Sequence, residues 1–434
     1  MKLTVNHIGK INKAEIEFNG ITVIAGENNT GKSTISKILY SMYNSNYQFE
    51  DYIQRQKVHL LNDDISNLIK KHSYGSDSNI FYTKRRFTYF IDPLLNIFSS
   101  ENEAQAKEKI GSFVNELKEN FDSNLQISDP EELCEDIFDS VSKIQNIDVK
   151  DYLSTRVYNY FNYLFGAQII NVNATSPVAN SVLNIKDKAF CINFDNRSCN
   201  ISINFAFTNK ALFIDSLKPV DFYTSNFKSL THLGVFSSAD SSYNIASLMA
   251  ENRLDSQNED VVGKTIYEKK AFSALNVIAK AFKGHFEKNG LKESFCFSED
   301  SSNIFLENLS SGIKSFVIIK KLLENGQINE RDVLILDEPE ISLHPAWQVI
   351  FAELIVILQK EFNLTVLLST HSPYFLSALE AYSKKYQVVD KCKYYLSETE
   401  GSSSTFLDVT NNTEKIYTKL AKPFDSISMI ESEM

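Results

Sequence analysis

Lys32 follows Gly31 and precedes Ser33 in the stretch NGITVIAGENNTGKSTISKILYSMY, and four residues separate Gly26 from Gly31. This Gly-x-x-x-x-Gly-Lys-Ser spacing suits one task, the cradling of a polyphosphate. The glycines let backbone N–H groups turn inward around phosphate oxygens. A helix starting just after them adds the positive end of its dipole. Gly26, Asn28, Asn29, Thr30, Gly31, Lys32, Ser33 and Thr34 form the expected phosphate-binding set. Lys32 would reach the β- and γ-phosphates of a nucleoside triphosphate such as ATP, and Ser33 would offer an oxygen to Mg²⁺.

A second set of reactive residues comes far down the chain, in RDVLILDEPEISLHP. Asp337 and Glu338 close an apolar run. Asp337 would hold Mg²⁺, and Glu338 would polarise the water that attacks a γ-phosphate. The next apolar run, LTVLLSTHSP, ends at Thr370-His371. There an imidazole could hydrogen-bond the γ-phosphate and register its presence. A lone His is more often structural; its place one strand after the acidic pair favours a catalytic role.

Ser310, Ser311 and Gly312 in ENLSSGIKSFVIIKKLL precede a helical pattern with Phe316, Ile319 and Leu323 on one face. Hydroxyls and a glycine at a helix start form a second anion cradle. One chain already has such a cradle at Lys32, so a second makes sense closing over nucleotide held by another copy. An ordinary Ser N-cap is the plainer alternative.

These segments must be positioned by strands and helices, and the patterns supply them. ITVIAG reads as a buried strand and STISKILYSMY as a helix, with Ile35, Ile38 and Leu39 on one side. ENEAQAKEKIGSFVNELKENF, DPEELCEDIFDSVSKIQNI and DVKDYLSTRVYNYFNYLFG have helical periodicity, the second opening on Asp129-Pro130. AQIINVNA, AFCINFD and CNISINFAF alternate as antiparallel strands do. KPVDFYTS reads as a return to the central sheet. AFSALNVIAKAFKGHFEKNG reads as one amphipathic helix closed by Gly290, and ESFCFSEDSSNIFLENLS as a hairpin. The expectation is an α/β fold with a mixed central sheet, an antiparallel β lobe and a helical insertion. Its divisions would be residues 1–46, a helical insertion over 47–164, and 165–434 completing the head.

Composition narrows the functions. The 434 residues carry 44 Lys and Arg against 55 Asp and Glu, a net charge of −11 that argues against a surface binding nucleic acid everywhere. YTKRRFTYF, with Lys84, Arg85 and Arg86 among aromatics, is a local exception, and Lys269, Lys270, Lys280 and Lys283 share one helical stretch. Cys134, Cys191, Cys199, Cys296 and Cys392 make no C-x-x-C pair, which suits reduced thiols in a cytoplasm. MKLTVNHIG reads as a strand and not a signal peptide, and no apolar run has the ~20 residues that span a bilayer.

Taken together, the loop at Gly26, LSSG, LILDEPE, LHP and STHSP resemble the ABC-class ATPase head. They are most similar to the branch of OLD nucleases and the Septu and PARIS anti-phage ATPases, and more distantly to the RecF/SMC ATPases. The resemblance covers roughly residues 1–46 and the C-terminal half. It implies ATP with Mg²⁺, and a head-to-head homodimer that sandwiches two ATP molecules. Lys32, Ser33, Asp337, Glu338 and His371 fall on the positions acting in cis, Ser310, Ser311 and Gly312 on those acting in trans. Glu340, Leu343, His344 and Pro345 would follow as the segment crossing the interface. Two features depart from the pattern: the signature reads LSSGIK and not LSGGQ, and no glutamine follows an obvious strand, Gln48 being too close to the first helix. The sixty or so residues after His371 leave no room for the nuclease domain of the OLD enzymes, and Glu398, Glu400 and Asp408 lack its spacing. The reading is an ATPase that dimerises around ATP and serves as sensor or scaffold for a separately encoded effector, a nuclease or toxin, in bacterial anti-phage defence. The alternative is a RecF/SMC-like DNA-binding ATPase of repair; a membrane transporter motor fits the long insertion poorly.

Overall fold

The computed structural model describes residues 1–74, 103–120, 126–146, 148–173, 178–195, 197–224, 239–256, 261–289, 292–299, 301–401 and 403–433. They divide into two compact units, one made of Met1–Tyr47 with Ser154–Met434, the other of Gln48–Leu153.

The larger unit is built on one mixed sheet. Its strands are β1 (Lys2–Ile8), β2 (Ile11–Glu17), β3 (Ile21–Gly26), β6 (Ala179–Ile185), β7 (Lys188–Phe194), β8 (Cys199–Ser202), β9 (Ala211–Ile214), β13 (Val333–Asp337), β14 (Thr365–Thr370), β15 (Cys392–Glu400) and β16 (Ser403–Asp408). Their order is β8-β7-β6-β1-β2-β16-β15-β3-β14-β13-β9. The β8-β7-β6-β1-β2 end is antiparallel. From β15 to β9 every pairing is parallel. The parallel part reads as near-continuous apolar runs because both faces are covered; β3 is buried at all its positions and β13 at all but its last.

Helices cover that part: α1 (Lys32–Asn46), α10 (Ser311–Glu324), α11 (Pro345–Phe362) and α12 (Pro373–Lys385). Val23, Phe316, Leu334, Phe351, Val366 and Phe375 meet in the main core. Each helix start has a local cause. Pro345 and Pro373 stand in first turns, where a missing N–H costs nothing, and His344 and Ser372 accept from the backbone of Ala346 and Phe375.

A separate three-stranded antiparallel sheet, β10 (Gly284–Asn289), β11 (Lys292–Phe297) and β12 (Asn303–Phe305), lies in the same unit. The smaller unit contains α2 (Phe49–His72), α3 (Glu103–Asn120) and α4 (Pro130–Gln145), with the short pair β4 (Ser73–Tyr74) and β5 (Gln126–Ile127). Leu61, Ile65 and Ile69, at helical spacing on α2, pack with Ile110, Phe113, Leu133 and Ile137. Asp129 caps α4 by accepting from the N–H groups of Glu131 and Glu132. α5 (Val149–Leu164) runs across the boundary between the units.

Three local expectations are corrected. The helix expected to reach Gly290 is α9 (Val261–Ile278), and β10 follows it. Gly284 explains the change: a Cβ there would stand 2.2 Å from the Cys296 carbonyl, so the chain is pressed against β11 and pairs with it. KPVDFYT is a helix, α6 (Lys218–Thr224), with Pro219 in its first turn, and the strand returning to the sheet is the preceding ALFI. Among the described residues of AQIINVNA only Ile170 pairs, by one bridge to Ile8. Lys84, Arg85, Arg86 and Gly290 lie outside the described residues. Of the basic residues on and after α9, Lys270 is paired with Glu330 and Lys280 with Glu353. Among the described residues no helix is long and apolar enough to cross a membrane, and no cysteine forms a disulfide.

Candidate nucleotide site

The site forms because β14 lies between β3 and β13. Register sets Asp337 opposite Ser369, with Ser369 and Thr370 opposite Ile24 and Ala25. The carboxyl ends of three strands, far apart in sequence, thus lie side by side, where ligands of parallel α/β sheets bind.

The loop after β3 is held tightly. Thr30 is buried, donates to the Glu27 carbonyl at 2.8 Å and meets the Ser397 hydroxyl at 2.7 Å. Ser397 in turn donates to the Ala25 carbonyl. Only glycine fits at position 26, since a Cβ would lie 2.3 Å from the Ser397 carbonyl. Gly31 has φ +84°, and its Cβ would meet the Ser404 hydroxyl at 2.9 Å. Asn29, also left-handed, accepts from the Lys10 ammonium at 2.5 Å. Asn28 is exposed beside it.

The Lys32 side chain is buried. Its ammonium donates to the carbonyls of Gly26 at 3.1 Å and Glu27 at 2.8 Å, and stands 3.5 Å from the Glu338 carboxylate. Glu338 has φ +49°, a strained conformation for a side chain of its size, held by its N–H bonds to the Ser369 carbonyl and hydroxyl. Asp337 accepts from the Ser369 hydroxyl. His371 Nδ1 lies 3.5 Å from the Glu338 carboxylate yet makes no hydrogen bond. Lys32, Glu338 and His371 therefore meet at one point.

A cleft of about 700 Å³ opens over this point, lined by Asn28, Asn29, Gly31, Lys32, Ser33, Thr34 and Glu338. Glu338 also lines a neighbouring cleft with Asp337 and Asp215, the residue just after β9. Burial pushes the Asp215 carboxyl up, and the nearby Asp337 and Asp240 add to the shift. Ser33 and Asp337 offer oxygen donors of the kind Mg²⁺ takes, so the residues fit that ion.

Sequence reasoning missed several residues. Gln168 and Asn171 line the main cleft from a segment with hardly any strand pairing, Lys10 lines it from the turn between β1 and β2, and Thr399 and Ser404, paired with each other, line it from the ends of β15 and β16. Gln168 thus puts a side-chain amide at the cleft that the sequence pattern did not place there. Glu340 and Leu343, expected at an interface, are buried within their own chain, whereas Ile341 is 66% exposed. The contrast follows the turn itself, since the Ile341 and Leu343 N–H groups bond the carbonyls of Glu338 and Glu340 and send alternate side chains outward.

Ser310 and Ser311 are exposed at the start of α10, and the Ser310 side chain makes no capping bond. Gly312 is buried: a Cβ there would meet the Ser342 carbonyl at 3.1 Å and the Trp347 ring at 3.2 Å. Its glycine thus serves close packing in its own chain, and open donors at this helix start fall to the two serines. None of the three lines the phosphate-loop cleft.

A family profile described as AAA ATPase domain matches residues 1–376. The chain belongs to that family. The ATPase is also similar to solved SMC heads. One is an SMC head bound to the C-winged helix domain of ScpA, at 9% identity and TM-score 0.45, covering 95% of this chain and 98% of that one. The SMC head domain from Thermotoga maritima gives 11% and 0.39, covering 94% and 98%. An Smc head with an extended coiled coil, bound to the C-terminal domain of ScpA derived from Pyrococcus furiosus, gives 11% and 0.41, covering 96% and 98%. Among curated proteins, none matches the ATPase.

Proposed function

We propose that the ATPase hydrolyses ATP at the Lys32–Glu338–His371 convergence, and that a second copy completes each site. The observation carrying this reading is the pair of 3.5 Å approaches to Glu338, from Lys32 and from His371. ATP would lie with its phosphates along residues Asn28–Thr34, drawing the Lys32 ammonium from the two carbonyls it now bonds. Glu338 would orient and deprotonate the attacking water. His371, with Nδ1 free of hydrogen bonds, would contact the γ-phosphate. Ser33 and Asp337 would hold Mg²⁺, which when bound neutralises charge on the phosphate oxygens. Ser310 and Ser311 lie outside the cleft of their own chain yet carry donors at a helix start, which supports their use on nucleotide held by a homodimer partner.

Mixing tests the shared site. Lys32→Ala and a Ser310→Ala/Ser311→Glu variant should each be inactive alone, one lacking the cradle and the other the lid. Mixed, they should regain ATP turnover, because half the heterodimer sites contain both intact parts. Two variants that stay inactive on mixing, with heterodimers demonstrably formed, contradict the proposal.

The finer role we propose is control of a separately encoded effector, a nuclease or toxin of anti-phage defence. Its support is the DEPEISLHP and STHSP pair and a helical unit, Gln48–Leu153, with its own core. Expressed with its neighbouring genes, the tagged ATPase should carry a stoichiometric nuclease or toxin whose activity changes with ATP. A chain that purifies alone, with and without ATP, contradicts that role.

A further inference from the structure

The three-stranded sheet β10-β11-β12 has two unlike faces. Phe286, Phe295, Phe297 and Ile304 point into the main core. The opposite face carries His285 directly across from Cys296, and Cys296 directly across from Asn303. Glu287, two residues along β10, shares that face by the period of the strand.

One ligand atom each from His285, Glu287 and Cys296 lies within 4.8 Å of the others. His285 Nε2 is 3.0 Å from Glu287 Oε1, and the Asn303 amide donates to Glu287 Oε2 at 2.7 Å. Asn303 therefore fixes the carboxylate from outside, as second partners of metal ligands do. A tetrahedral zinc ion sets its donors about 3.5 Å apart. Side-chain rotation of the exposed His285 and half-exposed Cys296 covers the remaining gap of about 1 Å.

We propose that His285, Glu287 and Cys296 form a binding site for a zinc-class divalent cation, separate from the nucleotide site. An imidazole, a thiolate and a carboxylate are the donors of a borderline-soft ion, and they differ in kind from the oxygens of Ser33 and Asp337. Binding deprotonates the Cys296 thiol, which loses its proton to solvent as the sulfur–metal bond forms. The carboxylate and thiolate then balance the ion's two charges, and a fourth position remains for water or a partner's side chain. Bound metal would tie β10 to β11, while Asn303 ties β12, whose end leads through residues 306–309 to the helix start at Ser310.

The test is Co²⁺ titration of the full-length, chelator-stripped protein. A thiolate-to-cobalt charge-transfer band should appear at one equivalent, be removed by Zn²⁺ and survive excess Mg²⁺. Cys296→Ser should abolish the band, and His285→Ala should weaken Co²⁺ binding at least about tenfold. Both positions are partly exposed, so circular dichroism should match the wild type. Absence of the band, its loss to Mg²⁺, or its persistence in Cys296→Ser overturns the proposal.

Discussion

Glu340 grips His371 from behind: its Oε1 accepts the His371 N–H at 3.0 Å, and the same oxygen accepts the Thr370 hydroxyl at 2.5 Å. The carboxylate is buried, and burial pushes its pKa up against the pull of these donors. A group that the family resemblance implied for the dimer interface therefore braces the end of β14 from within its own chain. Glu340→Ala should strand the Thr370 hydroxyl and cost about 1–3 kcal/mol of stability. It should also slow ATP turnover, whereas Glu340→Gln, which keeps an acceptor oxygen, should restore most of both. Denaturant melts and phosphate release on the two variants decide this; equal behaviour of Ala and Gln contradicts the bracing role.

Two glycines should respond in opposite ways to alanine. At Gly26 the new methyl would meet backbone at 2.3 Å, so the loop must shift and nucleotide binding should fall steeply. At Gly111, inside α3, nothing lies within 4 Å. Gly111→Ala should therefore raise stability by about 1 kcal/mol, the helical preference of alanine over glycine. Thermal melts of Gly111→Ala and nucleotide titration of Gly26→Ala are the measurements.

Lys210 gives a pH signature. It is buried beside Asp332 and donates to Gln327 at 3.1 Å. Burial lowers its pKa from 10.5 to about 8, with Asp332 opposing the shift. Between those values the unfolded chain holds the proton that the folded chain has released, so stability rises with pH across the window. Below about 8 both states are charged, and the buried ammonium carries its full desolvation cost. Relative to Lys210→Met, the wild type should gain up to about 3 kcal/mol from the bottom to the top of that window. Urea unfolding of both proteins across it tests the sign; a flat difference contradicts it.

How far the sequence speaks depends on how local the cause is. β3, β13 and β14 are legible because apolar runs end on small or charged residues, and the helix after Lys32 because Ile35, Ile38 and Leu39 repeat on one face. β10 is not, since His285-Phe286-Glu287 alternates for too few residues to outweigh the helix before it. Strand order is not legible either, and it is what carries Ser397 and Ser404 onto the phosphate loop. Gln168 and Asn171 leave no local mark, because their place at the cleft comes from a single bridge, Ile8 to Ile170. Gly312 shows the limit at the residue level: a glycine at a helix start reads as an open cradle, and here it makes room for Trp347.

The most direct measurement is ATP binding and phosphate release by Glu338→Gln beside the wild type. The substitution keeps the size of the side chain and removes the base. The account expects ATP bound with wild-type affinity, release slowed at least about 100-fold, and accumulation of an ATP-bound dimer. Release at the wild-type rate, with binding intact, would contradict it.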